Sequence, residues 1–202
     1  WRYASSIVRA EYGDFINNLD GNKAGYTVYS PIGLVALILP WNFPFIVLSE
    51  RLPFILAAGC SVIAKPSEFA SGTSLLLGEI LKDAGIPDGV YNVITGYGSE
   101  IGNHLVTNRN IKMVSFTGST ENGKVVMESA SKSLKKVSLE LGGKSPIIIF
   151  SDCDIDKASD AVIAGFVDNA GQCCIATSRL LAQKSIYSDL IEKITSKLKK
   201  MD

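Results

Sequence analysis

The sequence predicts an α/β protein: a mostly parallel sheet with helices on both faces, followed by the start of a second α/β unit. Three observations predict it. Short apolar runs alternate with helix-length amphipathic stretches from residue 35 onward. The runs are apolar at nearly every position, as strands covered on both faces are. Polar turns, mostly bearing glycine or proline, follow the strands, where open α/β sheets bind ligands.

The elements follow in order. Val35–Leu39 reads as a strand that PWNFP breaks. Pro44 suits the first turn of a helix running to about Ala58, where Gly59 stops it. SVIAK (61–65) is the next strand and Pro66 ends it. Residues 71–84 are expected to be helical, with Ser71 or Thr73 as cap and Leu75, Leu76 and Ile80 as the apolar side. A strand at 90–94, a helix near 98–107 and a strand at 112–116 lead into TGSTENG and a helix over 120–130. Strands at 136–140 and 146–150 bracket Gly142 and Gly143. In the next helix Ile155, Ala158, Val162, Ile163 and Phe166 share one face; a strand at 179–183 and a helix from Ile186 to Lys200 complete the chain. Alternation of this kind means βαβ units with right-handed crossovers. Residues 13–30 differ, because Asp20 and Gly21 between extended segments read as a hairpin turn.

Composition excludes several functions. The 202 residues carry 20 acidic and 20 basic side chains, so no electrostatic footprint for nucleic acid or an anionic membrane exists. Lys197, Lys199 and Lys200 read as the solvent face of a terminal helix. Residues 33–64 are apolar, but Pro40, Asn42, Pro44, Glu50, Arg51 and Pro53 interrupt every run before the roughly 20 residues a bilayer requires. The opening residues do not read as a signal peptide. Cysteines 60, 153, 173 and 174 form no spaced framework, which points to a reducing compartment, the cytoplasm. The lone His104 rules out a histidine-rich metal cluster and reads as a surface residue; no metal is expected.

Four stretches, and Asn42 in the WNFP turn, could carry chemistry. GQCCIATSR (171–179) sets two cysteines side by side, either as an apolar pair in a core or as a nucleophile presented at a turn. FTGSTENG brackets a strand-to-helix turn with Gly118 and Gly123, where backbone N–H groups could face a phosphate; a capped helix after a glycine turn is the plainer reading. In KPSE, Lys65 and Glu68 flank a proline turn and could take the hydroxyls of a ribose, or be a surface pair. LELGGKS places Glu140 at the end of a strand expected to be buried, where apolar walls raise a carboxyl pKa and suit it to general-base work; a helix-capping or salt-bridged glutamate is the alternative. Gly142 and Gly143 would let the backbone pass close to a ligand. Asn42 offers an uncharged N–H for an oxyanion, or is a turn asparagine. Together, cysteine, glutamate, asparagine and a dinucleotide turn suggest aldehyde oxidation through a thiohemiacetal.

At this point the chain resembles the NAD(P)-dependent aldehyde dehydrogenase superfamily. The resemblance runs through PWNFP, AAGC…KPSE, GIPDGVYNVITG, FTGST-x-x-G, LELGGKSP and N-x-GQ-x-C, in the family's order and over nearly the whole chain from residue 31. It implies a Rossmann-like NAD-binding domain over 31–141, the beginning of a catalytic domain over 142–202, and a helix end with an oligomerisation-type hairpin over 1–30. It implies Cys174 as nucleophile with Cys173 as a packing neighbour, Glu140 as the base for the deacylating water, and Asn42 as oxyanion donor with the Cys174 N–H, the three sharing one cleft. Trp41, Lys65, Ser67, Glu68, Gly118, Ser119 and Leu141 become the cofactor contacts. An acid at 68 favours NAD over NADP, since it would repel a 2′-phosphate. The implied substrate is a small-molecule aldehyde, and the implied assembly a homodimer or homotetramer.

One departure stands out: where many members carry lysine nine residues after the asparagine, this chain has Arg51, which cannot readily serve a proton relay. Members also run to about twice this length, so the chain is expected to be a central fragment. Two alternatives remain: a non-catalytic short form that binds nucleotide or forms oligomers, and a CoA-acylating aldehyde dehydrogenase, against which Glu140 argues.

Overall fold

A computed structural model describes residues 1–10, 13–17 and 19–201. The chain divides into two compact units, Trp1–Glu140 and Leu141–Asp202.

The first unit opens with helix α1 (Arg2–Ile7) and an antiparallel pair, β1 (Phe15–Ile16) with β2 (Gly25–Tyr26). This is the expected hairpin, and Gly21 takes the positive φ of 60° that its turn needs. Asn18, within the expected hairpin, lies outside the described residues.

Beyond it come β3 (Leu34–Ile38), α2 (Pro44–Ala57), β4 (Ser61–Lys65), α3 (Gly72–Asp83), β5 (Tyr91–Val93), α4 (Gly98–Thr107), β6 (Ile111–Gly118), α5 (Thr120–Ser131) and β7 (Lys136–Leu141). The strands form one sheet in the order β5-β4-β3-β6-β7, and β3–β4, β4–β5 and β3–β6 are parallel. Helices cover both faces, as the alternating pattern predicts. Leu37, Leu39, Leu48, Leu52, Val62, Ala64, Leu77 and Leu81 make one buried cluster between strands and helices. The order reverses direction at β3, which pairs with β4 on one side and β6 on the other. That reversal opens a crevice at the carboxyl edge, where α/β sheets take ligands. The three edges are level, since Ile38 is in register with both Lys65 and Phe116.

Helix α3 corrects one expectation. Leu75, Leu76 and Ile80 are exposed, while Ser74, Leu77 and Leu81 face the core. Small residues decide the phase. Ser74 and Gly78 lie one turn apart, and a Cβ at Gly78 would rest 3.6 Å from the Tyr91 ring. The Tyr91 hydroxyl donates to the Ser74 carbonyl at 3.0 Å. Burial pushes that phenol up to about 12. An all-leucine face could not bring the helix this close to β5.

The second unit pairs β8 (Pro146–Ile149) in parallel with β9 (Arg179–Ala182), joined by α6 (Ile155–Val167), with α7 (Tyr187–Leu198) following. The predicted face of α6 packs as expected: Ala158, Val162 and Ile163 are buried with Ile149, Ile186, Leu190 and Ile194, and Ile155 and Phe166 lie against them. The Asp154 carboxylate caps α6 by accepting from the N–H groups of Asp156 and Lys157. A 3-10 turn at Lys184–Ile186 precedes α7, so that helix begins one residue later than expected. Lys197 is not a free solvent-facing lysine. It pairs with Asp160 and donates to the Asp156 carbonyl, tying α7 to α6, whereas Lys199 and Lys200 are exposed. Among the described residues no helix is long and apolar enough to cross a membrane.

Candidate active site

At the carboxyl edge of the first unit, three turns follow level strand ends. After β4, Lys65 is almost fully buried, and its ammonium lies 3.3 Å from the Glu68 carboxylate. A buried lysine needs such a partner, since desolvation disfavours an isolated charge. The Glu68 carboxyl sits below its ordinary value, first because its own backbone N–H donates to it; Lys65 adds to this, and burial opposes it. Gly98, at the start of α4, leaves space beside the ammonium: a Cβ there would lie 3.8 Å from Nζ. Ser67 is buried, and its carbonyl accepts from the Ser71 hydroxyl at 3.0 Å. Ser71 therefore braces this turn instead of capping α3 through its side chain.

After β6, Ser119 caps α5 by accepting from the Asn122 N–H at 3.2 Å. Gly118 is needed for packing, because a Cβ there would overlap the Phe116 ring. After β3, Trp41 is half-exposed and Asn42 half-buried. The WNFP, KPSE and GST turns thus stand at one edge of one sheet.

Glu140 takes the salt-bridged alternative and not the buried one. Its side chain is 60% exposed, and its carboxylate meets the Arg51 guanidinium at 3.0 Å. It is therefore not pressed against apolar walls. The physical reason is that β7 ends the sheet order, with a neighbour on one side only. Arg51 also donates to the Ser138 hydroxyl at 3.2 Å, so one guanidinium bridges two residues of β7. Nothing local in the sequence pairs Arg51 with Glu140, because the two charges stand 89 positions apart along the chain. Leu141 closes β7 and is half-buried.

In the second unit, Cys174 is exposed in a turn and Cys173 is half-buried. The segment before them is unusual. Asn169, Ala170 and Gly171 all take the left-handed conformation, with φ of 48°, 56° and 78°. Such a run costs about 1–2 kcal/mol at an alanine, and it turns the chain sharply out of α6. Gly143 lies close to this loop: a Cβ on it would lie 3.0 Å from the Cys174 carbonyl oxygen. Beyond the cysteines, the Thr177 N–H donates to the Gly165 carbonyl at 2.8 Å, and a Cβ at Gly165 would overlap the Thr177 hydroxyl. The sequence held only a weak signal for this contact, a glycine inside a helix at a cost of about 1 kcal/mol against alanine. His104 is exposed, and among the described residues no group of His, Cys, Asp and Glu could hold a metal ion.

Comparison with known proteins bears on this arrangement. The model of the aldehyde dehydrogenase family matches residues 1–202. The chain is 44% identical over 200 residues to aldehyde dehydrogenase family 2 member C4 of Arabidopsis thaliana, covering 98% of this chain and 40% of that protein. It is 42% identical to an NADP(+)-dependent succinate-semialdehyde dehydrogenase of Escherichia coli (strain K12), covering 94% of this chain and 39% of that one. Among solved structures, an NAD-dependent aldehyde dehydrogenase from Sinorhizobium meliloti superposes with a TM-score of 0.96 at 48% identity, over 100% of this chain and 40% of that one. The chain thus spans about 40% of the length of the curated relatives it matches. With a family match along its whole length, the chain belongs to the aldehyde dehydrogenase family.

Proposed function

We propose that this chain carries the cofactor-binding and nucleophilic parts of an NAD(P)-dependent aldehyde dehydrogenase, which oxidises an aldehyde to a carboxylic acid through a thiohemiacetal and a thioester on Cys174. The observation that carries this reading is the family match over the full length, with Cys174 exposed at a turn where a nucleophile must stand.

The donor set at the carboxyl edge fits a dinucleotide. A buried ammonium and a carboxylate after β4 suit ribose hydroxyls, and the capped start of α5 suits a pyrophosphate. Lys65, Ser67, Glu68, Gly118, Ser119, Trp41 and Leu141 would hold the cofactor. Glu68 favours NAD, because its negative charge repels a 2′-phosphate.

In the proposed reaction the Cys174 thiolate adds to the aldehyde carbon and forms a C–S bond. The Asn42 amide donates to the alkoxide. A bound nicotinamide supplies the two-electron acceptor for the hydride that leaves this carbon. The acyl group stays on sulfur as a thioester. Glu140 takes a proton from water as the water oxygen adds to the thioester carbonyl. The C–S bond breaks, the thiolate is restored, and the acid leaves. Arg51 keeps its proton and orients the Glu140 carboxylate.

Four free cysteines favour a reducing compartment, the cytoplasm. Exposed Phe15, Ile16 and Tyr26 on the hairpin favour association with a second copy, as homodimer or homotetramer.

The test is iodoacetamide labelling with peptide mapping. Cys174 is expected to react well before Cys60 and Cys153; equal, slow labelling of all four sulfurs overturns the reading. In the complete protein, Asn42→Ala is expected to lower turnover by about 10²–10³-fold, the usual cost of one oxyanion donor. Near-normal turnover would remove Asn42 from the mechanism.

A further inference from the structure

We propose that Gly143 is a positioning residue for Cys174, acting through the Cys174 backbone carbonyl. The inference rests on the reading of Cys174 as the nucleophile. It comes from a contrast between two neighbouring glycines. A Cβ at Gly142 would meet nothing within 4 Å, whereas one at Gly143 would come to 3.0 Å from the Cys174 carbonyl oxygen. Gly143 does not have a positive φ, so alanine there meets no backbone strain; the tight contact is the carbonyl, with the Ser145 hydroxyl at an ordinary 4.0 Å.

Either the glycine turn or the cysteine loop must then give by a few tenths of an ångström. The turn is pinned. Arg179 Nε donates to the Lys144 carbonyl at 2.8 Å, and the Arg179 N–H donates to the Ser145 carbonyl at 3.3 Å. The cysteine loop is therefore the part that moves. That loop is placed by backbone contacts at both ends: the left-handed turn at 169–171 before it, and the bond from the Thr177 N–H to Gly165 after it. The reactive side chain is exposed and has little of its own packing to hold it. A shift of its backbone is thus passed to the sulfur, and small misplacements of a reacting atom are costly in rate.

The experiment measures second-order alkylation of Cys174 and Cys173 by iodoacetamide between about pH 6 and 9, with thermal unfolding alongside. Gly143→Ala is expected to lower the Cys174-to-Cys173 rate ratio about fivefold or more at every pH. Gly142→Ala is expected to stay within about twofold of the parent. Adding Arg179→Gln to Gly143→Ala removes the Nε bond to the Lys144 carbonyl, loosening the turn although the backbone bond to Ser145 stays, and should recover part of the ratio, which a merely structural loss would not do. An unchanged ratio in Gly143→Ala, an equal loss in Gly142→Ala, or no recovery in the double variant overturns the proposal. So does an unfolded Gly143→Ala, because a small shift at one carbonyl does not unfold a domain. If the parent protein shows no preference for Cys174 over Cys60 and Cys153, the nucleophile reading itself fails. A parental preference that Gly143→Ala leaves intact sinks the positioning role alone.

Discussion

The turn after β4 and the loop carrying Cys174 are both short segments bearing candidate chemistry, but they are held by opposite means. The first is held by side chains. Lys65 is buried and paired with Glu68, and Ser71 ties back to the Ser67 carbonyl. The second is held by main chain. Three left-handed residues precede its cysteines, Gly143 faces a carbonyl, and Gly165 accepts from Thr177. The difference suits the proposed tasks. A ribose is recognised by charged and polar groups that must stay in place, so side-chain pairing is useful there. A nucleophile needs its own side chain free, so its position has to come from the backbone.

Substitutions at the two cysteines, at Glu68 and at Ala170 test this contrast, from the largest expected effect to the smallest. Cys174→Ser in the complete protein should remove aldehyde oxidation by roughly 10⁴-fold or more, as loss of a catalytic nucleophile does elsewhere. Cys173→Ser should leave turnover within about tenfold. Steady-state kinetics on the two variants checks this, and similar losses in both would mean that the two sulfurs are not distinguished.

Glu68→Gln acts on the side-chain-held turn. It should raise the NADP-to-NAD ratio of kcat/KM by about tenfold, the order expected for removing one partly screened like charge. The same variant carries a pH signature. Because the folded carboxyl lies below its ordinary value of 4.5, its stabilisation is complete above 4.5 and is lost as pH falls below it. Urea unfolding should therefore weaken more steeply with acid below 4.5 in the parent than in Glu68→Gln. Parallel acid slopes would show that the native contacts of the Glu68 carboxylate, its own backbone N–H first and Lys65 after it, contribute nothing to folding.

The smallest effect belongs to the backbone-held loop. Ala170→Gly relieves a left-handed alanine but adds freedom to the unfolded chain, so the net change should be under about 1 kcal/mol. Ala170→Val, a β-branched residue at the same positive φ, should cost about 1–2 kcal/mol. If valine proves as well tolerated as glycine, the left-handed turn is not retained in solution.

Much of this was legible along the chain. Strands buried on both faces announce themselves as continuous apolar runs, and β3, β4 and β6 fall within two residues of their expected ends. The face of α6 followed from helical spacing, since its apolar positions form one stripe. Helix α3 offers two apolar stripes, and the choice between them depends on Tyr91 in another element. Glu140 was expected to be buried because local sequence cannot say which strand ends a sheet. Its partner Arg51 lies on a helix after β3, and pairing of charges distant in sequence leaves no local pattern.

The sequence by itself determined the alternation of strands and helices, the turns that carry polar groups, and the order of motifs that marks the family. Each of these depends on neighbouring residues, through hydrophobic period, proline and glycine punctuation, and capping. Only the tertiary structure decided which face of α3 is buried, that Glu140 is exposed and paired, and that Gly143 faces the carbonyl of Cys174. These depend on distances between residues remote along the chain, set by packing that no local period encodes.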